Sequence, residues 1–236
     1  MKAAAIVGFK NSGKTTLTLE VAKTLKNRGL SVAAVKFAHH GFDYQGRDTD
    51  RLAAYCTAVA GMSDESSMLI WPGRRRLEDF LPLMHADVLL VEGGKSLDVL
   101  PRVLVLREAG EAAELKPELA LGVYGETTSP ALAPDLVRFD NADAVADAIL
   151  ENGFLLPGLN CQACGRENCH DLAVEIVAKQ AEADDCRAFP ENLRVECNGQ
   201  LLPLGPFVAA VVGSTIRGLL AELKGYTPGP VTIQLD

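Results

Sequence analysis

The chain has 236 residues, 48% of them apolar and 23% charged, and a formal net charge of −8. These proportions exclude a mainly disordered chain, and 21 glycines with 12 prolines exclude a collagen-like or low-complexity one. The acidic balance argues against a protein that grips a nucleic-acid backbone, which needs clustered cations. Arg74-Arg75-Arg76 is the only basic run.

In chain order, apolar runs at residues 3–7, 32–37, 68–71, 88–91, 103–106 and 119–123 read as strands. Leu17, Val21 and Leu25 repeat every fourth residue, and Gly29 follows as a stop, which predicts a helix after the first strand. A second helix is expected over 141–151, with Asn141 as its N-cap. Strands that alternate with helices predict an α/β fold with a mainly parallel sheet, covered on both faces. The pattern changes near residue 153, so we expect one domain over 1–152 and a small α+β domain over 153–236. In the second domain, Asn198-Gly199 predicts a hairpin between 193–197 and 201–204. Val208, Val212, Ile216, Leu219, Leu220 and Leu223 predict an amphipathic helix, and a last strand is expected over 231–235.

No run approaches the roughly 20 apolar residues of a membrane span; residues 206–223 come nearest but contain Ser214, Thr215 and Arg217. The N-terminal apolar run leads straight into a polar loop, unlike a signal peptide, so the expected compartment is the cytoplasm. There, six cysteines are expected to be thiols or metal ligands rather than disulfides.

Residues Gly8-Phe9-Lys10-Asn11-Ser12-Gly13-Lys14-Thr15, followed by Thr16, fit the phosphate-binding P-loop pattern. A random chain this long carries it roughly once in a hundred. It lies between a strand and a helix, as its physics requires. Main-chain N–H groups converge on phosphate, the helix N-terminus adds partial positive charge, Lys14 adds a full one, and the Thr15 hydroxyl can ligate Mg²⁺. The run 87–92 ends in Glu92-Gly93-Gly94-Lys95 and resembles a Walker B strand, so Glu92 is a candidate for Mg²⁺ or the attacking water. Asp48 and Asp50, on the polar loop after the second strand, could reach the same place; His39 and His40 on that loop lack a metal-ligand set. No Asn-Lys-x-Asp sequence occurs, so the motifs alone leave GTP and ATP open.

Cys161, Cys164, Cys169 and Cys186 are spaced C-x2-C-x4-C-x16-C. The first three fall on one tight loop where their sulfurs can converge, and Gly165 permits its turn. A helix should follow, with Ala173, Ile176, Val177 and Gln180/Ala181 on one face and Cys186 at its end. Four thiolates suit a [4Fe–4S] cluster; a four-thiolate zinc site is the alternative. Cys56 and Cys197 lack ligand spacing and are expected as buried apolar residues.

Over residues 1–150 the chain resembles the molybdopterin-guanine dinucleotide biosynthesis protein B family. The likeness is carried by GFKNSGKTT, by Val35-Lys36 with His39-His40 and Phe42-Asp43, by Asp48 in GRDTDR, and by Val91-Glu92-Gly93-Gly94-Lys95. Gly94 departs from the phenylalanine usual in the family. The segment from Leu156-Pro157-Gly158-Leu159-Asn160-Cys161 through Ala173 is similar to four-cysteine iron–sulfur domains, with Gln162 where glycine is common. The resemblance implies a dimeric, GTP-binding P-loop accessory protein with slow hydrolysis. Its partners would be a molybdopterin guanylyltransferase and molybdopterin-carrying proteins. An iron–sulfur ATPase of metallocluster maturation or nucleotide-gated electron transfer is the alternative class, and a non-catalytic interaction protein a third.

Overall fold

A computed structural model describes residues 1–38, 48–125, 136–190, 192–197 and 199–234. The paired histidines, Phe42 and Asp43 lie outside the described residues, as do Asn198 and Leu235. Contacts divide the chain into two units, Met1–Leu155 and Leu156–Asp236.

The first unit runs β1 (Lys2–Gly8), α1 (Lys14–Asn27), β2 (Val32–Lys36), α2 (Asp48–Ala53), β3 (Val59–Met62), β4 (Ser67–Ile70), β5 (Val88–Glu92), β6 (Arg102–Val105), β7 (Ala120–Tyr124), β8 (Arg138–Phe139) and α3 (Ala142–Asn152). Six strands form one parallel sheet in the order β2-β5-β1-β6-β7-β8. Its central strand, β1, is buried from Ala3 to Val7, as expected of a strand packed on both faces. Alternation along that strand sorts the core. Ala4 and Ile6 meet Leu17, Val21 and Leu25 of α1 and Val145, Ala146 and Ile149 of α3. Ala3, Ala5 and Val7 face the other way, against Leu100, Leu104 and Leu115. That second face is covered by short helical turns and loops rather than long helices.

Asn141 caps α3 as expected: its Oδ1 accepts from the Ala144 N–H at 2.9 Å. Residues 153–155 stay with the first unit, because the Phe154 N–H donates to Ala3 O at 3.1 Å and Leu155 packs on the core. One expected strand joins elsewhere. Ser67–Ile70 pairs antiparallel with Val59–Met62 in a separate hairpin, not in the parallel sheet. Its exposed Met68 and Leu69 show why: the run has only Ile70 to bury.

The second unit holds α4 (Cys169–Val177), β9 (Glu196–Cys197), β10 (Gln200–Leu201) and α5 (Pro206–Ala221). β9 and β10 pair antiparallel around residues 198–199, a shorter hairpin than expected. The chain over 231–234 forms no strand. The α5 helix exists, but Ala209 is its one buried residue; Val208 and Leu219 are exposed, as is Leu223 just beyond the helix, so the predicted apolar stripe covers no core. Cys56 and Cys197 are both exposed, not buried. Each sits at the edge of a short element, Cys56 just past α2 and Cys197 in a two-residue strand, where nothing packs over it.

Candidate functional site

The P-loop leaves β1 at the carboxyl end of the parallel sheet, the edge where ligands sit in such folds. β6 presses on its start. A Cβ on Gly8 would lie 2.3 Å from Val105 O and 2.5 Å from Ser12 Oγ, so only glycine fits there. Asn11 and Gly13 adopt positive φ (62° and 92°), which curls the loop into the N-terminus of α1. The Ser12 N–H is used inside the loop, on Phe9 O at 3.3 Å. Among the described residues nothing accepts from the N–H groups of Gly13, Lys14, Thr15 and Thr16. They border a concavity of about 220 Å³ lined by Asn11–Thr16. Ser12 Oγ is buried beneath it without a partner. Open amides, an orphaned hydroxyl and a helix N-terminus together fit an anion.

The side chains around this loop are arranged by charge. Lys14 Nζ folds back onto Phe9 O. Its pKa is held below the usual lysine value, first by burial and then by Lys95, Lys36 and Arg107, with Glu92 opposing. Arg107 is paired with Glu111 at 2.7 Å, so three lysines share the one carboxylate of Glu92, an imbalance that a polyphosphate would correct. Glu92, mostly buried at the end of β5, takes the Thr15 hydroxyl on Oε1 at 2.7 Å and the Lys36 ammonium at 3.1 Å. The two candidate Mg²⁺ groups are therefore adjacent. Asp48 is not brought to them. It opens α2, is nearly fully exposed, and pairs with Arg51 at 3.8 Å. It borders a different concavity, between α2 and the β3–β4 hairpin.

In the second unit, Asn160 ties the ends of the cysteine loop together. Its N–H donates to Cys169 Sγ at 3.4 Å, and its Oδ1 accepts the Cys169 N–H at 2.8 Å. Arg166 binds Cys164 O at 2.8 Å and the Glu175 carboxylate at 2.6 Å, which fastens the loop to α4. The helix is shorter than expected: its buried face is Cys169, Leu172 and Ala173, and it stops at Val177. Cys186 instead follows a separate turn, Ala183–Asp185.

The expected convergence of the four sulfurs is not formed. Among the described residues no group of three or more His, Cys, Asp or Glu side chains is arranged to hold a metal ion. The thiols are neighbours nonetheless. Cys186 is pushed above the usual thiol value by burial first and then by Cys169, Cys161 and Cys164, while the Ala188 N–H pulls it down. Neutral thiols have no mutual attraction to draw them together; a metal, which binds them as thiolates, supplies it. Four thiols from two segments, two of them already accepting N–H bonds, fit an iron–sulfur group.

The family model described as "Molybdopterin guanine dinucleotide synthesis protein B", MobB, matches residues 3–123, just over half of the chain. The chain belongs to the MobB family. A second model, "Putative Fe-S cluster", matches residues 156–188. A protein of Methanocaldococcus jannaschii, named "Putative molybdopterin-guanine dinucleotide biosynthesis adapter protein", is 26% identical over 247 residues. That alignment covers 100% of this chain and 98% of the relative. The molybdopterin-guanine dinucleotide biosynthesis adapter protein of Haemophilus influenzae is 29% identical across 61% of this chain and 85% of its own length. The crystal structure of Bacillus subtilis MobB matches 63% of this chain and 98% of that one, with a TM-score of 0.51 at 24% identity, and so supports the fold.

The departure of this MobB-family chain at Gly94 has a structural counterpart. A Cβ there would stand 2.9 Å from Leu97 Cδ1 and 3.2 Å from the ring of Phe37. Phe37, at the end of β2, fills the space beside the turn with its own aromatic ring. Gln162 adopts a positive φ of 59°, which explains why glycine is common at that position. Lys36 and Lys95 entered the sequence reading as family residues and not as site cations. Arg107 escaped it altogether. The signal was available: a basic residue directly after an apolar strand run lies at the ligand edge of a parallel sheet.

Proposed function

We propose that the first unit binds GTP with Mg²⁺ and hydrolyses it slowly. The chain then acts as an adapter to a molybdopterin guanylyltransferase, helping to join GMP to molybdopterin and give the guanine dinucleotide form of the molybdenum or tungsten cofactor. Membership of the MobB family and the adapter names of its relatives support the role. The single observation that carries the nucleotide reading is the set of open amides from Gly13 to Thr16 beside Lys14, Lys36 and Lys95 with the one carboxylate of Glu92.

In this reading, Gly8 to Thr16 wrap the phosphates. Lys14 leaves Phe9 O for the outer phosphates, exchanging a neutral acceptor for a charged one. The Thr15 hydroxyl and the Glu92 carboxylate, now bonded to each other, would together hold Mg²⁺, which would neutralise charge on the phosphates. Lys36 holds Glu92 in place. Cys161, Cys164, Cys169 and Cys186 would hold a [4Fe–4S] cluster, which supplies a one-electron redox centre. A second copy of the chain and molybdopterin-carrying proteins complete the expected partners.

The test is titration of anaerobically purified protein with GTP and ATP, alongside Lys14→Ala. GTP preference and a loss of at least about a hundredfold in the variant are expected, since a buried charge contact to phosphate is removed. ATP preference, or unchanged affinity without Lys14, overturns the reading. Iron, sulfide and zinc measured on the same sample decide the cluster.

A further inference from the structure

Arg102 is a cation inside the sheet with no carboxylate against it. It opens β6 in register with Ala5 of the central strand and has no exposed surface. Its guanidinium reaches main-chain carbonyls instead. Nη1 donates to Leu115 O at 2.9 Å and to Lys95 O at 3.4 Å, Nη2 donates to Leu97 O, and Nε has no partner. Asp98 and Glu118 act on it only from a distance, and burial holds its pKa below the usual arginine value. A methionine would fill such a place without desolvating a charge. The arginine must therefore do something that packing alone does not.

Two of its three carbonyls belong to the turn that follows Glu92. That turn is soft in itself, because Gly93 and Gly94 both sit at positive φ, 83° and 68°. It closes with the Leu97 N–H on Gly94 O at 2.9 Å, and Asp98 pairs with Lys116. Lys95 stands in its middle. Its main chain is held by Arg102, and its ammonium lies 3.4 Å from the centroid of the Phe9 ring, on the P-loop itself. An aromatic face holds a cation more weakly than a phosphate does, so the ammonium is parked within reach of the loop and free to leave.

We infer that Arg102 is a positioning residue: by clamping the 93–98 turn it presents Lys95 to the outer phosphates of the bound nucleotide, as a second ammonium beside Lys14. The inference rests on the nucleotide reading above. Fixing the turn in advance removes ordering that binding would otherwise have to supply.

Affinities for Mg-GTP and for GDP, measured by calorimetry on the full chain, test it with Lys95→Ala, Arg102→Lys and the double variant. Arg102→Lys keeps the buried charge but cannot span three carbonyls, and it is gentler on the core than Arg102→Met. Each single change should weaken GTP about tenfold, the scale of one charge-assisted contact, and GDP less than about twofold. The double variant should be no weaker than the singles, because both remove one contact. Equal losses for GTP and GDP, or losses that multiply in the double variant, would make Arg102 a purely structural residue. Lys95→Ala removes no core side chain, so an unchanged GTP-to-GDP ratio in that variant alone overturns the inference, however Arg102→Lys folds. Unchanged GTP affinity in Lys14→Ala would instead indict the nucleotide reading and leave a different signature.

Discussion

The two units carry their candidate sites by different means. The P-loop is held by a parallel sheet whose central strand is buried from Ala3 to Val7, and its open amides border a concavity. The cysteine loop is held by one asparagine, one arginine–glutamate pair and little else. Among the described residues, the buried apolar side chains of the second unit are Leu156, Cys169, Leu172, Ala173, Ala188 and Ala209. So small a core seldom stabilises a unit of this size alone; a metal commonly supplies the rest. The fold organises the first site, and the ligand must organise the second.

Metal removal is the strongest way to break this comparison. Chelation of the full chain should open residues 156–236 to proteolysis, because binding energy on the order of 10 kcal/mol for a structural metal is folding energy in such units. GTP affinity of the first unit should persist in the same sample. Limited proteolysis read by mass spectrometry checks both. Equal protection before and after chelation would mean that the second unit holds itself together, contrary to the contrast drawn above.

A smaller effect sharpens the other half. Thr15→Val and Glu92→Gln should each reduce the Mg²⁺-dependent gain in GTP affinity by about tenfold, the scale of one lost charge-assisted contact. Affinity measured with EDTA should hardly change, since the amides and Lys14 remain. If both conditions lose affinity alike, the Thr15–Glu92 contact braces the loop and has no bearing on the ion.

What the sequence disclosed follows the same division. Strands of the parallel sheet were legible because every residue from Ala3 to Val7 is buried, and a continuous apolar run has no other use. The phosphate loop was legible because its function lies in the main chain, which glycine spacing reports directly. The run 68–71 was read as a strand of the sheet, and its partner β3 was not read at all, because a four-residue apolar run carries no sign of what it pairs with. Asp48 lines a second concavity and pairs with Arg51, a placement that proximity in sequence to a site loop does not reveal. Arg102 left no trace, since its partners are carbonyls, and carbonyls have no residue type. In the second unit, a helical period in α5 predicted a helix correctly but predicted burial wrongly, because period reports shape and not the presence of a covering surface.

The smallest expected effect separates the stability of the first unit from its site. Asp87 lies at the amino edge of the sheet, at the opposite end of its strands from the P-loop, and takes the Ser31 hydroxyl at 2.6 Å and the Ser31 N–H at 2.8 Å on one carboxylate oxygen. Those bonds hold its pKa below the usual aspartate value. The contribution to stability is therefore complete above the ordinary aspartate value and fades as pH falls through the lowered one, because the unfolded chain binds the proton first. Asp87→Asn keeps an acceptor for Ser31 but not the charge. Its melting temperature should fall slightly below that of the parent at neutral pH, and the gap should close in acid. Nucleotide affinity should stay level throughout. A gap that is unchanged in acid would assign the loss to packing, and a fall in GTP affinity would show that the two edges of the sheet are mechanically linked, so that even the preorganised site depends on more than its own loop.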